Sequence, residues 1–130
     1  AVLRLVDAGK LALDEPILRT FDVEPFLPEG AAEDPRWKQV TVRHCLQHSG
    51  GWDRGQSFDP MFRAVAFAQL LGREAPAGAR DVIRVMRGRP LDFDPGTRYA
   101  YSNFGYCLLG RAIEAATGAS YEEHLRATLL

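Results

Sequence analysis

Two cysteines in 130 residues are too few for a disulfide framework, and Cys45 and Cys107 both fall in segments with helical apolar spacing, so each reads as a buried thiol. Positive charge is not in excess: 16 Lys+Arg stand against 17 Asp+Glu, a formal charge of -1, which leaves no surplus positive field to hold nucleic acid or an anionic membrane and disfavours a polyanion-binding role. No apolar run approaches the roughly 20 residues that cross a bilayer, and the first residues show no basic region leading into a hydrophobic stretch and cleavage site. Serine is also scarce. Ser49, Ser57, Ser102 and Ser120 all lie outside any Gly-x-Ser-x-Gly elbow, and neither Lys10 nor Lys38 has a Ser three residues earlier, so the chain holds no complete nucleophile unit. What remains is 46% hydrophobic and 10% aromatic residues, enough for one core and too short a chain for two domains.

The spacing predicts a mainly helical module. Val2, Leu5 and Val6 share a stripe that ends at Gly9, with no N-cap ahead of it, and Ser120 to Glu123 forms a capping box for a helix running through Leu125 into Leu129 and Leu130. Both ends therefore read as cut, making residues 1–130 a partial domain. Leu11 to Val40, with Pro16, Pro25, Pro28 and Pro35, reads as an ordered surface loop. Thr41 caps a short helix over Val42 to His48, closed by Gly50-Gly51. Further helices are expected over Asp59 to Leu71, with Phe62, Val65, Ala66 and Leu70 inward, and over Ala79 to Arg87, with Val82, Ile83 and Met86 inward. Asp94-Pro95-Gly96-Thr97 is a type II turn signal around which Leu91–Phe93 and Arg98–Tyr101 are expected to pair as a small hairpin. Asn103 to Thr117 is the best amphipathic helix, with Tyr106, Leu109, Ala112, Ile113 and Ala116 inward and Gly118 past its end.

Two clusters offer chemistry. His44 and His48, at i and i+4, have a spacing that zinc hydrolases use, with His124 as the one evident third ligand, but the Glu that would act as base is missing. A helix with one capping or buried His and one exposed His accounts for the same pair. The run Tyr99-Ala100-Tyr101-Ser102-Asn103-Phe104-Gly105-Tyr106 joins an extended stretch to a helix start, where polar groups can be held toward a cleft. Tyr99 and Tyr106 read as core aromatics with wet tips and Ser102 as an N-cap; for Tyr101 and Asn103 residue chemistry alone leaves the choice open.

Three ordered segments then carry a resemblance: Leu11-Ala12-Leu13-Asp14-Glu15-Pro16, Val40 through Gly51, and Pro95-Gly96-Thr97-Arg98-Tyr99-Ala100-Tyr101-Ser102-Asn103 with Gly105-Tyr106 and Leu108-Leu109-Gly110. Together they resemble the serine β-lactamase and penicillin-binding-protein-like family, in its class C-like branch of β-lactamases, DD-peptidases and esterases, over nearly the whole chain. The resemblance implies the helical subdomain of an α/β fold with most of the sheet missing. It implies an acyl-serine hydrolase acting on a small-molecule or peptide amide, lactam or ester carbonyl, with no metal or organic cofactor. It also implies a periplasmic or secreted location, with the cytoplasm left open. Of the family's three boxes only Tyr-x-Asn is here, so Tyr101 matches the catalytic Tyr and Asn103 the box Asn. The Ser-x-x-Lys box is expected upstream of Ala1 and the third box beyond Leu130. His48-Ser49-Gly50 imitates the third box but precedes the Tyr box and is set aside. Trp52 is a candidate pocket-lining residue, with a structural Trp as the equal alternative. A non-catalytic helical binding module of the same fold is the alternative function, and the His44/His48 metal hydrolase a lesser one.

Overall fold

A computed structural model describes residues 1–129, with side chains through Ala127. Among the described residues six α-helices are laid out in chain order: α1 (Val2–Asp7), α2 (Val42–Leu46), α3 (Ala64–Leu71), α4 (Ala79–Arg87), α5 (Asn103–Thr117) and α6 (Tyr121–Leu129). Short 3₁₀ turns at Ile17–Arg19, Pro35–Gln39 and Pro60–Phe62 punctuate the loops. Among the described residues the sole β pairing is an isolated antiparallel bridge between Pro16 and Thr41.

The longest helix, α5, is the axis on which α1, α2 and α6 pack. Its bounds are those the periodicity predicts, because both ends are chemically closed. The Ser102 hydroxyl accepts from Gly105 N–H at 3.0 Å, and Gly118, at φ 72°, returns its N–H to the Glu114 carbonyl at 2.9 Å. Phe104, Leu108, Leu109 and Ile113 are buried, each stabilising the fold by roughly 1.5–3 kcal/mol. Tyr106 departs from the expected stripe: it is 48% exposed, its ring lying on the surface while its hydroxyl donates to the Leu46 carbonyl at 3.0 Å. The α4 bounds and its inward Val82, Ile83 and Met86 also follow the sequence pattern. So does the Ser120 capping box, in which Ser120 Oγ accepts from Glu123 N–H while Glu123 Oε2 accepts from Ser120 N–H, both at 3.1 Å. The expected continuation into Leu130 lies outside the described residues.

One expectation is refined and two are corrected. The Leu11 to Val40 stretch is irregular and runs largely over the surface, as expected, but it also sends anchors into the core: Ile17, Trp37 and Val40 are fully buried, and Trp37 forms an aromatic cluster with Trp52 (ring centroids 5.3 Å apart) and Phe104 (6.2 Å). Proline density prevented regular structure without preventing burial, since Asp34 and Pro35 start a 3₁₀ turn that drives Trp37 inward. The helix expected over Asp59 to Leu71 is split. Asp59 and Pro60 start a 3₁₀ turn, the backbone breaks register at Arg63 (φ -117°, ψ 20°), and α3 then buries Phe67 and Ala68 while Phe62, Val65 and Leu70 are more than half exposed. The expected hairpin is absent as well. Gly96 does sit at φ 82°, as a type II turn needs. Yet the flanks hydrogen bond to the segment after α2 rather than to each other: Asp92 N–H donates to Gly51 O at 2.7 Å, Gly96 N–H to Ser49 O at 2.7 Å, and Ala100 N–H to His48 O at 2.8 Å.

Candidate functional site

This pairing of the Leu91 to Ala100 run with the segment after α2 builds the site. The segment from His48 to Gly51 acts as a rail on which the run Leu91 to Ala100 is hung, setting Tyr101-Ser102-Asn103 against the end of α2. Two glycines make the rail possible. A Cβ on Gly50 would meet the Trp52 ring at 2.4 Å, and Gly51 has φ 123° with the Phe93 carbonyl 2.9 Å from where its Cβ would stand. The helix α2 ends at Leu46, earlier than expected, because the chain turns left-handed at His48 (φ 55°).

This geometry separates the two imidazoles that the sequence placed on one helix face. His44 is the closing member of a capping box: its Nδ1 accepts from Thr41 N–H at 3.1 Å while Thr41 Oγ1 accepts from His44 N–H at 3.2 Å. Gly96 lies against its other side, where a Cβ would come within 2.9 Å of Nε2. Burial holds this imidazole below the usual histidine range. His48 turns its Nδ1 to the Ser102 N–H at 3.0 Å. Its ring stacks on Tyr101 (centroids 4.6 Å, 29°) and Tyr106 (5.0 Å, 23°) and meets Tyr99 edge-on at 5.6 Å. Each imidazole thus has its Nδ1 committed to a backbone amide, and His124 is buried on α6. Among the described residues no group of three or more His, Cys, Asp or Glu is placed to hold a metal.

Tyr101 is 45% exposed, with the Arg54 guanidinium 4.7 Å above its ring centroid on a wall of the cleft. Tyr99, expected in the core, is 67% exposed; it and Tyr106 serve as outer walls of the histidine stack. Asn103 opens α5 and donates from Nδ2 to Asp59 Oδ2 at 2.9 Å, while Asp59 Oδ1 accepts from Met61 N–H at 3.0 Å. Tyr101, Asn103, Asp59, Arg54 and one edge of Trp52 line one small cleft with Phe58 as its neighbouring wall. Trp52 is only 4% exposed and belongs to the aromatic core through Phe104 (4.9 Å) as well as to this cleft. A larger groove, about 1080 Å³, contains none of these residues; it is lined by mutually paired charges such as Asp81 with Arg73 and Arg84 and Arg111 with Glu114.

No local signal in the sequence marks Asp59 or Arg54 as cleft residues. Asp59-Pro60 is a legible helix-start signal, which accounts for one carboxylate oxygen, but nothing local announces that the other reaches Asn103, 44 positions away. The four serines have structural roles or lie outside the cleft's reactive groups: Ser57 donates to Asp92 Oδ2 at 2.7 Å, Ser49 to His44 O at 3.4 Å, and Ser102 and Ser120 cap helices. Both cysteine thiols are free, Cys45 fully buried and Cys107 partly so, and burial pushes both thiols up from the ordinary range.

Against known proteins, the chain is 36% identical over 121 residues to a probable fimbrial assembly protein FimD, serogroup H1, of Dichelobacter nodosus, covering 93% of the chain and 27% of that protein. It is 34% identical over 124 residues to esterase EstB of Burkholderia gladioli, covering 91% and 29%. Among solved structures, the octameric penicillin-binding protein homologue from Pyrococcus abyssi superposes with a TM-score of 0.69 at 29% identity, over 99% of the chain and 27% of that structure. The chain therefore spans between a quarter and a third of the length of these relatives. Residues 1–130 match the Beta-lactamase family model, so the chain belongs to the β-lactamase and penicillin-binding-protein family, and its helices superpose on part of a penicillin-binding-protein homologue's fold.

Proposed function

We propose that this chain is the helical, Tyr-x-Asn-bearing part of a serine acyl hydrolase that works through a covalent acyl-serine on an amide, lactam or ester carbonyl, in a periplasmic or secreted setting. The observation that carries the reading is the convergence of Tyr101 and Asn103 on one cleft in a chain of this family. In the proposed reaction a serine Oγ from a Ser-x-x-Lys segment outside this chain attacks the carbonyl. Its proton passes through the Lys and the Tyr101 hydroxyl to the leaving group, and water later takes the acyl group by the reverse proton route. Tyr101 relays the proton through its hydroxyl, with the Arg54 guanidinium 4.7 Å over its ring face helping to hold the ring at the cleft wall. Asn103 carries both a donor and an acceptor, which suits it to hold the Lys and an acyl-side carbonyl together.

The test is covalent labelling. A fluorophosphonate probe should modify one serine of the complete protein, outside Ser49, Ser57, Ser102 and Ser120, and the 130-residue chain alone should neither label nor hydrolyse nitrocefin or p-nitrophenyl acetate. Turnover by the chain alone, lost in Ser49→Ala or Ser57→Ala, would place the nucleophile here and overturn the assignment.

A further inference from the structure

We infer that Asp59 is a positioning residue that fixes the orientation of the Asn103 side-chain amide; this rests on the hydrolase reading above and deepens it. An asparagine amide is nearly symmetric in shape, so its NH₂ and C=O exchange places unless a neighbour discriminates between them. An ionised carboxylate accepts and cannot donate, so the 2.9 Å contact between Asp59 Oδ2 and Asn103 admits one orientation: NH₂ toward Asp59, Oδ1 away from it. Asp59 is itself immobilised. Its Oδ1 accepts from Met61 N–H at the head of the 3₁₀ turn Pro60–Phe62, whose Pro60 is buried, and the side chain is half-buried beside Phe58 and Trp52. Both carboxylate oxygens are therefore used, one on the turn and one on the first residue of α5.

The consequence for acyl transfer follows from the donor and acceptor count. Held this way, Asn103 keeps Oδ1 as an acceptor for an ammonium and its second N–H as a donor for an acyl-side carbonyl. Flipped, it would present N–H groups to the ammonium, which has only donors, and both contacts would be lost. Ser at position 59 would still cap the turn through its hydroxyl but is too short to reach Asn103 as well. Asn there would supply one acceptor where two are needed.

The experiment is a double-mutant cycle in the complete protein with Asp59→Ser, Asp59→Asn, Asn103→Ala and the paired variants, reading kcat and KM on p-nitrophenyl butyrate and nitrocefin, with Tm measured in parallel. Asp59→Ser retains the cap and guards against simple unfolding. We expect each single variant to lower kcat/KM by about 10 to 100-fold, and the pair to be no worse than Asn103→Ala alone, because both remove one unit. If the losses multiply in the pair, or if Asp59→Ser is as active as the wild type while Asn103→Ala is not, Asp59 is only a cap and the inference fails by itself. If Asn103→Ala is silent, or the wild type turns over neither probe, the hydrolase reading fails and takes this one with it.

Discussion

The Asp34 carboxylate accepts from the Arg36 guanidinium and backbone N–H and, at 2.9 Å, from the Leu91 N–H, while Arg36 reaches on to Asp94 at 2.9 Å. These two residues clamp the turn whose far side hangs on the rail beneath Tyr101, so a loop residue distant from the cleft helps to hold it. The Arg36 hydrogen bonds, with the backbone N–H groups of Arg36 and Leu91, pull the Asp34 carboxyl down to about 2, against a burial that pushes it up. A depressed carboxyl contributes stability that is present above its unfolded value near 4 and is lost as pH falls through about 2. With the side chain 9% exposed, the contribution is on the order of 2 kcal/mol. Urea unfolding of the complete protein between pH 5 and pH 2 should therefore show wild type losing its advantage over Asp34→Asn by about that amount. A constant difference across the range would mean that the clamp is not titrating.

At the level of elements, Ser102 ties stability to the site, because its hydroxyl caps α5 while its own N–H is taken by His48. Ser102→Ala should cost about 1 kcal/mol in thermal or urea unfolding, the usual loss for a vacated N-cap, and an unchanged midpoint would deny the cap its role. This element was legible in the sequence, as were α4 and the Ser120 box, because helix ends and apolar periodicity are local properties and each signal agrees with the others. The face of α3 and the partner of the Leu91 to Tyr101 run were not. The apolar set Phe62, Val65 and Leu70 has helical spacing, but the break at Arg63 re-aims the helix so that Phe67 and Ala68 meet the core instead. The Pro95-Gly96 turn was readable, but a turn specifies only how the chain reverses, and the backbone groups flanking it found Gly51, Ser49 and His48, some 40 to 50 residues earlier. Tyr101 and Asn103 were named through a motif; Asp59 and the His48 stack depend on long-range contact, which spacing along the chain does not encode.

Across the whole molecule, one core of Trp37, Trp52, Phe104 and the buried faces of the helices carries a cleft assembled from the α2 end, the loop after it, the Pro60 turn and the start of α5. Leu3, Phe62, Val65 and Leu70 leave apolar side chains exposed on the same chain. In the mechanism proposed above Tyr101 moves a proton while the aromatic residues around it only build its walls. Tyr99→Phe and Tyr106→Phe keep their rings, and the second removes a hydrogen bond to Leu46 that belongs to stability. Steady-state kinetics on the three Tyr→Phe variants of the complete protein, with one ester and one β-lactam substrate, test it most directly. Tyr101→Phe should lower kcat by roughly 10² to 10⁴-fold, with Tyr99→Phe and Tyr106→Phe within a few-fold of wild type. Equal small losses in all three would contradict it, removing Tyr101 from the chemistry and leaving a helical binding module in its place.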